Sequence, residues 1–95
     1  MVLLSFNMRL SKEKKDKISE QILALLYHQF PKQLFTAEIA REIARDEEFI
    51  KTLLFELKDK ELVTPIRKNP KGILFSRRIK WRISNKAYEA YKQHQ

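Results

Sequence analysis

Two hydrophobic spacings follow one another along the chain, and the switch between them marks its layout. Ser11 reads as an N-cap. Between Lys12 and Phe30, Ile18, Ile22, Leu25 and Leu26 recur at three- and four-residue steps with Lys and Glu among them, the spacing of a helix with one buried stripe. Pro31 ends that segment, because proline has no amide hydrogen and its ring crowds the preceding turn. After the linker Pro31-Lys32-Gln33-Leu34-Phe35, Thr36 is the candidate N-cap of a short helix over Ala37–Ala44, with Ile39, Ala40 and Ile43 inward. Asp46 then caps a third helix whose stripe is Ile50, Leu53, Leu54 and Leu57. Only a few residues around Arg45 separate the second and third helices, and so tight a junction predicts a helix-turn-helix.

Beyond Leu62 the period shortens. Val63-Thr64-Pro65-Ile66-Arg67 is β-prone, and Pro65, which has no N–H to donate, suits an edge strand. Asn69-Pro70-Lys71-Gly72 supplies turn residues, including the one glycine of the chain. From Ile79 to Ile83 the alternation is strict, with Ile79, Trp81 and Ile83 on one face and Lys80 and Arg82 on the other. That is a half-buried strand with a basic outer face, and Trp81 reads as a core plug beneath it. Asn85 to His94 closes the chain with a short helix presenting Tyr88 and Tyr91. The expected architecture is one α+β domain over residues 1–95: three helices, a two-stranded hairpin and a last helix. Residues 1–10 form an N-terminal extension that is either flexible or part of a dimer interface.

Composition narrows the function classes. A chain of 95 residues, 43% apolar, holds one core and leaves little room for a deep catalytic cleft. With no cysteine, disulfides, thiolate chemistry and finger-type zinc sites are excluded, which fits a cytoplasmic protein. The apolar run from Ile22 to Tyr27 falls far short of the roughly 20 residues that span a bilayer, and the first residues lack the features of a signal peptide. His28 and His94 have no partnering ligands in the sequence, and neither a glycine-rich phosphate loop nor an activated nucleophile is present. We therefore expect no enzyme, no metal and no cofactor.

Charge changes the picture most. The formal net charge is +8. Residues 1–62 carry 11 basic and 11 acidic side chains, whereas residues 63–86 carry eight basic ones and no acid: Arg67, Lys68, Lys71, Arg77, Arg78, Lys80, Arg82 and Lys86. A one-signed block beside neutral segments is what a phosphate-facing surface looks like in sequence.

Three stretches together resemble the winged-helix-turn-helix superfamily, above all small prokaryotic transcriptional regulators of the multiple-antibiotic-resistance-regulator and arsenic-repressor type. Phe35-Thr36-Ala37-Glu38-Ile39-Ala40 is similar to the opening of the helix before the turn. Leu54-x-x-Leu57-Lys58-Asp59-Lys60-Glu61-Leu62-Val63 resembles the end of the recognition helix running into the first wing strand. Trp81-Arg82-Ile83-Ser84-Asn85-Lys86-Ala87 resembles the close of the second wing strand. The resemblance spans Phe35 to about Tyr88 and implies a DNA-binding regulator that forms a homodimer. Its expected partner is double-stranded DNA.

This sequence departs from the family pattern at two places. Glu61 stands where the family usually has glycine, so the helix is expected to end with another geometry there. The first turn of the third helix reads Asp46-Glu47-Glu48; acids favour a helix N-terminus but repel phosphates. Nucleic-acid contacts are therefore expected further along that helix, at Lys51, Thr52, Phe55 and Lys58, and on the wing at Arg67, Lys68, Lys71, Arg77, Arg78, Lys80 and Arg82. The apolar Ile73-Leu74-Phe75 inside the basic block packs on the body of the domain, joins a dimer interface or wedges into a minor groove. A protein-interaction module within a larger complex, and RNA binding, stay open as alternative functions.

Overall fold

In the computed structural model, residues 12–68, 71 and 78–93 are described. Their elements are α1 (Lys12–Gln29), β1 (Leu34–Phe35), α2 (Thr36–Ile43), α3 (Glu47–Asp59), β2 (Val63–Ile66), β3 (Lys80–Ile83) and α4 (Asn85–Gln93). The Ser11 cap, the N-terminal extension, the turn residues Asn69, Pro70 and Gly72, the Ile73-Leu74-Phe75 triplet, Arg77 and His94 lie outside the described residues. Among the described residues no helix is long and apolar enough to cross a membrane.

The helices bury the stripes that their spacing predicts. α1 buries Ile18, Ile22, Leu23 and Leu26, with Leu25 packed at the margin. α3 buries Ile50, Leu53, Leu54 and Leu57. The junction between α2 and α3 is short because α2 ends in a left-handed residue. Ala44 has φ 62°, and the amides of Ala44 and Arg45 donate back to the carbonyls of Arg41 and Ala40 at 3.2 and 3.0 Å. This is a Schellman closure, which satisfies the last carbonyls of the helix. Asp46 then starts α3, its Oδ2 accepting from the Phe49 amide at 3.0 Å.

At the start of α2 the expected cap is displaced by one residue. Thr36 is the first helical residue, and Phe35 holds the extended cap position with φ −68° and ψ 154°. The Phe35 amide donates to Glu38 Oε1 at 2.8 Å. The Thr36 hydroxyl is buried and accepts from the Trp81 indole instead.

The sheet is antiparallel and three-stranded, in the order β1-β3-β2, where the sequence predicts a two-stranded hairpin. β1 adds two residues, too few to show an alternation. Leu34 pairs with Trp81 and Phe35 with Lys80, while Pro65 sits opposite Trp81 on the other side. β3 is thus the central strand, and Pro65 lies on an edge strand as expected. Leu34, Val63, Trp81 and Ile83 turn into the core.

The end of α3 corrects a third expectation. Glu61 does adopt the left-handed conformation, with φ 63°. Its amide donates to the Lys58 carbonyl and that of Leu62 to the Leu57 carbonyl, both at 2.9 Å. The closure that glycine usually makes is kept by a residue with a β-carbon, and Leu62 after it packs against the core. Ser84 locks the same corner. Its amide donates to the Leu62 carbonyl at 3.0 Å and its hydroxyl to the Glu61 carbonyl at 2.9 Å. The same hydroxyl accepts from the Ala87 amide at 3.1 Å, so one side chain caps α4 and ties it to the end of α3.

Candidate nucleic-acid interface

The wing strand separates its two faces cleanly. Trp81 and Ile83 are fully buried, whereas Lys80 and Arg82 occupy the half-buried outer face and Arg78 is exposed. β1 supplies an aromatic floor beneath two of these cations. The Arg78 guanidinium carbon lies 5.4 Å and the Lys80 ammonium 4.9 Å from the centre of the Phe35 ring, within the range of a cation–π contact. Arg82 points elsewhere: its Nη1 donates to the Ile83 carbonyl at 3.0 Å and to Asn85 Oδ1 at 3.3 Å, so it braces the start of α4. Arg67 and Lys68 follow β2, and both are exposed, as is Lys71. Lys86 makes an exposed ion pair with Glu61 at 3.8 Å.

Along α3 the four expected contacts differ in availability. Lys51 and Lys58 are exposed. The Thr52 hydroxyl donates to the Glu48 carbonyl of its own helix at 3.0 Å. Phe55 is half-buried and meets the Trp81 ring edge-on, with centroids 5.4 Å apart and planes at 89°. Phe55 therefore packs on the base of the wing, while Lys51, Thr52 and Lys58 are exposed on α3.

A cleft of about 270 Å³ runs between the start of α2, the first turn of α3 and the residues leading into β3. Its walls include Phe35, Glu47, Glu48, Lys51, Arg78 and Ile79. Two cations and two carboxylates thus share one opening, and the acidic first turn lies beside the basic wing. Reading the sequence alone misses Phe35, since its cationic neighbours come from more than forty residues away and no local period flags it.

A second cluster, where α1 meets α4, is aromatic. Phe30 stacks on Tyr88 with centroids 4.1 Å apart, and Tyr27 lies 5.2 Å from Tyr88 and 5.4 Å from Tyr91, pinning α4 to the end of α1. Burial, and secondarily the Glu20 carboxylate, raise the Tyr91 phenol above its ordinary value. Among the described residues no three His, Cys, Asp or Glu side chains gather as metal ligands would.

Helix-turn-helix, three-stranded sheet and trailing helix together define the winged helix-turn-helix fold. Solved structures of this fold include the Staphylococcus aureus MepR–DNA complex, 20% identical, covering 96% of this chain and 77% of that one with a TM-score of 0.65. A zinc-responsive MarR family member, Lactococcus lactis ZitR, is 22% identical, covering 90% of this chain and 51% of its own with a TM-score of 0.63. A ZitR double mutant in apo form is 22% identical and reaches a TM-score of 0.67 over 98% of this chain and 61% of that one. The chain therefore spans about half to two thirds of the ZitR chains it matches. The likeness is one of fold, and it agrees with the winged-helix resemblance carried by the three sequence stretches. No family profile matches the sequence, and no curated protein matches it.

Proposed function

We propose that this chain binds double-stranded DNA as a transcription regulator whose basic wing grips the phosphate backbone, α3 playing the lesser part. The observation that carries this reading is the one-sided charge of β3. Its inner face is core, its outer face and approaches are cationic, and the fold is one that MepR uses in a complex with DNA. Arg67, Lys68, Lys71, Arg77, Arg78 and Lys80 are the proposed backbone contacts, with Lys51 and Lys58 reaching from α3. Arg82, braced against Asn85, contributes its charge to the field. Recognition of symmetric half-sites requires a homodimer. The reading carries a cytoplasmic location and no enzymatic activity.

Fluorescence anisotropy with random duplex DNA at two salt concentrations tests the proposal. Contact with all eight basic residues of 63–86 would give a log–log salt slope of about −7, and roughly half of that is expected. No binding at low salt, or an affinity indifferent to salt, overturns the reading. The double substitution Arg77→Glu/Arg78→Glu should abolish retention with little change in thermal stability. A protein-interaction module is favoured by one observation, the exposed Glu47 and Glu48 beside the cleft. A stoichiometric partner captured without DNA would establish that reading instead.

A further inference from the structure

We infer that Phe35 is a positioning residue, its ring fixing the directions of Arg78 and Lys80 before any polyanion arrives; the inference rests on the DNA reading above. Register and ring geometry carry it. Phe35 pairs directly with Lys80 across the β1–β3 ladder, so both side chains stand on the outer face of the sheet. Arg78 lies two residues before Lys80, ahead of β3, and its guanidinium reaches the same ring. Both cationic heads lie over one ring, at 5.4 and 4.9 Å. The ring also lines the cleft into which Lys51 and Arg78 project.

Long basic side chains lose rotamer freedom when they engage phosphates. An aromatic face that holds them through its quadrupole places that loss in folding rather than in binding. Phe35 itself touches no phosphate in this arrangement; it acts through the two cations. β1 exists as a strand only for Leu34 and Phe35, one facing the core and the other the cations. The extra strand thus joins the wing to the helix-turn-helix and seats the aromatic platform.

Phe35→Leu keeps apolar bulk and the backbone amide that Glu38 caps, but removes the ring. It should bind random duplex about fivefold more weakly, the scale of ordering one or two long side chains. Its log–log salt slope should fall in magnitude by about one, as one phosphate contact is lost on average. Phe35→Tyr should restore both affinity and slope, with melting temperatures of all three proteins close together. Proton NMR of the free protein gives a readout independent of DNA. The Arg78 δ-methylene and Lys80 ε-methylene protons should resonate upfield in the parent and in Phe35→Tyr, and return to ordinary positions in Phe35→Leu. Absence of those ring-current shifts in the parent overturns the positioning role whatever the DNA result. Unchanged affinity and slope in Phe35→Leu also overturn it. Ring-current shifts in a parent that binds no duplex would instead sink the DNA reading, and the functional role of the placed cations with it.

Discussion

The indole N–H of Trp81 donates to the Thr36 hydroxyl at 2.8 Å, with both groups buried and 45 residues apart in sequence. This bond fastens the central strand of the wing to the first turn of α2. An indole N–H stripped of its acceptor inside a core costs about 1–3 kcal/mol. Thr36→Val should therefore lower the unfolding free energy in urea by about that amount, while Thr36→Ser keeps most of it. Thr36→Val combined with Trp81→Phe should cost less than the two single changes added together, because the orphaned donor is gone. Strict additivity would show that the bond contributes nothing specific.

Both left-handed helix ends carry a β-carbon, at Ala44 and Glu61. The left-handed region costs an L-residue roughly 1–2 kcal/mol, partly offset in glycine by its larger unfolded-state entropy. Glu61→Gly and Ala44→Gly should each raise stability by about 0.5–1 kcal/mol. The exposed Lys86 pair lost in Glu61→Gly offsets little of this gain. A fall in the urea midpoint for both variants would contradict the closure described.

Ser84 serves as acceptor for α4 and donor to α3 through one oxygen. Ser84→Ala should destabilise by about 1–2 kcal/mol, more than an ordinary cap alone. Ser84→Asp should recover only the capping share, since a carboxylate has no proton to give the Glu61 carbonyl. Equal stabilities for the aspartate variant and the parent would remove the second bond from the account.

Removing charge from the first turn of α3 should help DNA rather than hinder it. Glu47→Gln/Glu48→Gln neutralises two carboxylates that share a cleft with Lys51 and Arg78. Anisotropy at low salt should show tighter binding to random duplex, and the gain should shrink as salt screens the repulsion. An affinity unchanged at low salt would place that turn away from the bound DNA.

Alkaline stability should depend on Tyr91. Its folded value is raised by burial first and by Glu20 second, so the folded state holds the phenolic proton more tightly than the unfolded chain does. The stabilisation is complete below the ordinary value of 10.0 and is lost as pH rises from there through the raised folded value. Tyr91→Phe should flatten that limb of the stability profile relative to the parent. Identical alkaline limbs would refute it.

The parts of this structure legible in sequence are those specified by neighbours along the chain. The four-residue stripe of α3, the Asp46 cap and the alternation around Trp81 all depend on local periods, and all appear. What stayed hidden depends on distant partners. Thr36 looks like a cap until Trp81 claims its hydroxyl. Leu34 and Phe35 look like linker until β3 pairs with them. Phe55 reads as a groove contact, and its edge-on meeting with the Trp81 ring, 26 residues on, has no local signal. Glu61, with its β-carbon, looks unsuited to the left-handed region, yet it adopts φ 63° there and Leu62 packs on the core.

On β3 the core-bearing strand and the cation-bearing strand are the same four residues. Lys80 and Arg82 stand two positions apart on β3, about 7 Å along the strand, with Arg78 just ahead of it, and like charges this close repel one another. Salt then acts with opposite signs on the free protein and on its complex. Screening eases the repulsion and raises the melting temperature of the unbound chain, while it loosens any polyanion held on the same face. A polyanion, in turn, would clamp the strand from outside and tighten the core behind it.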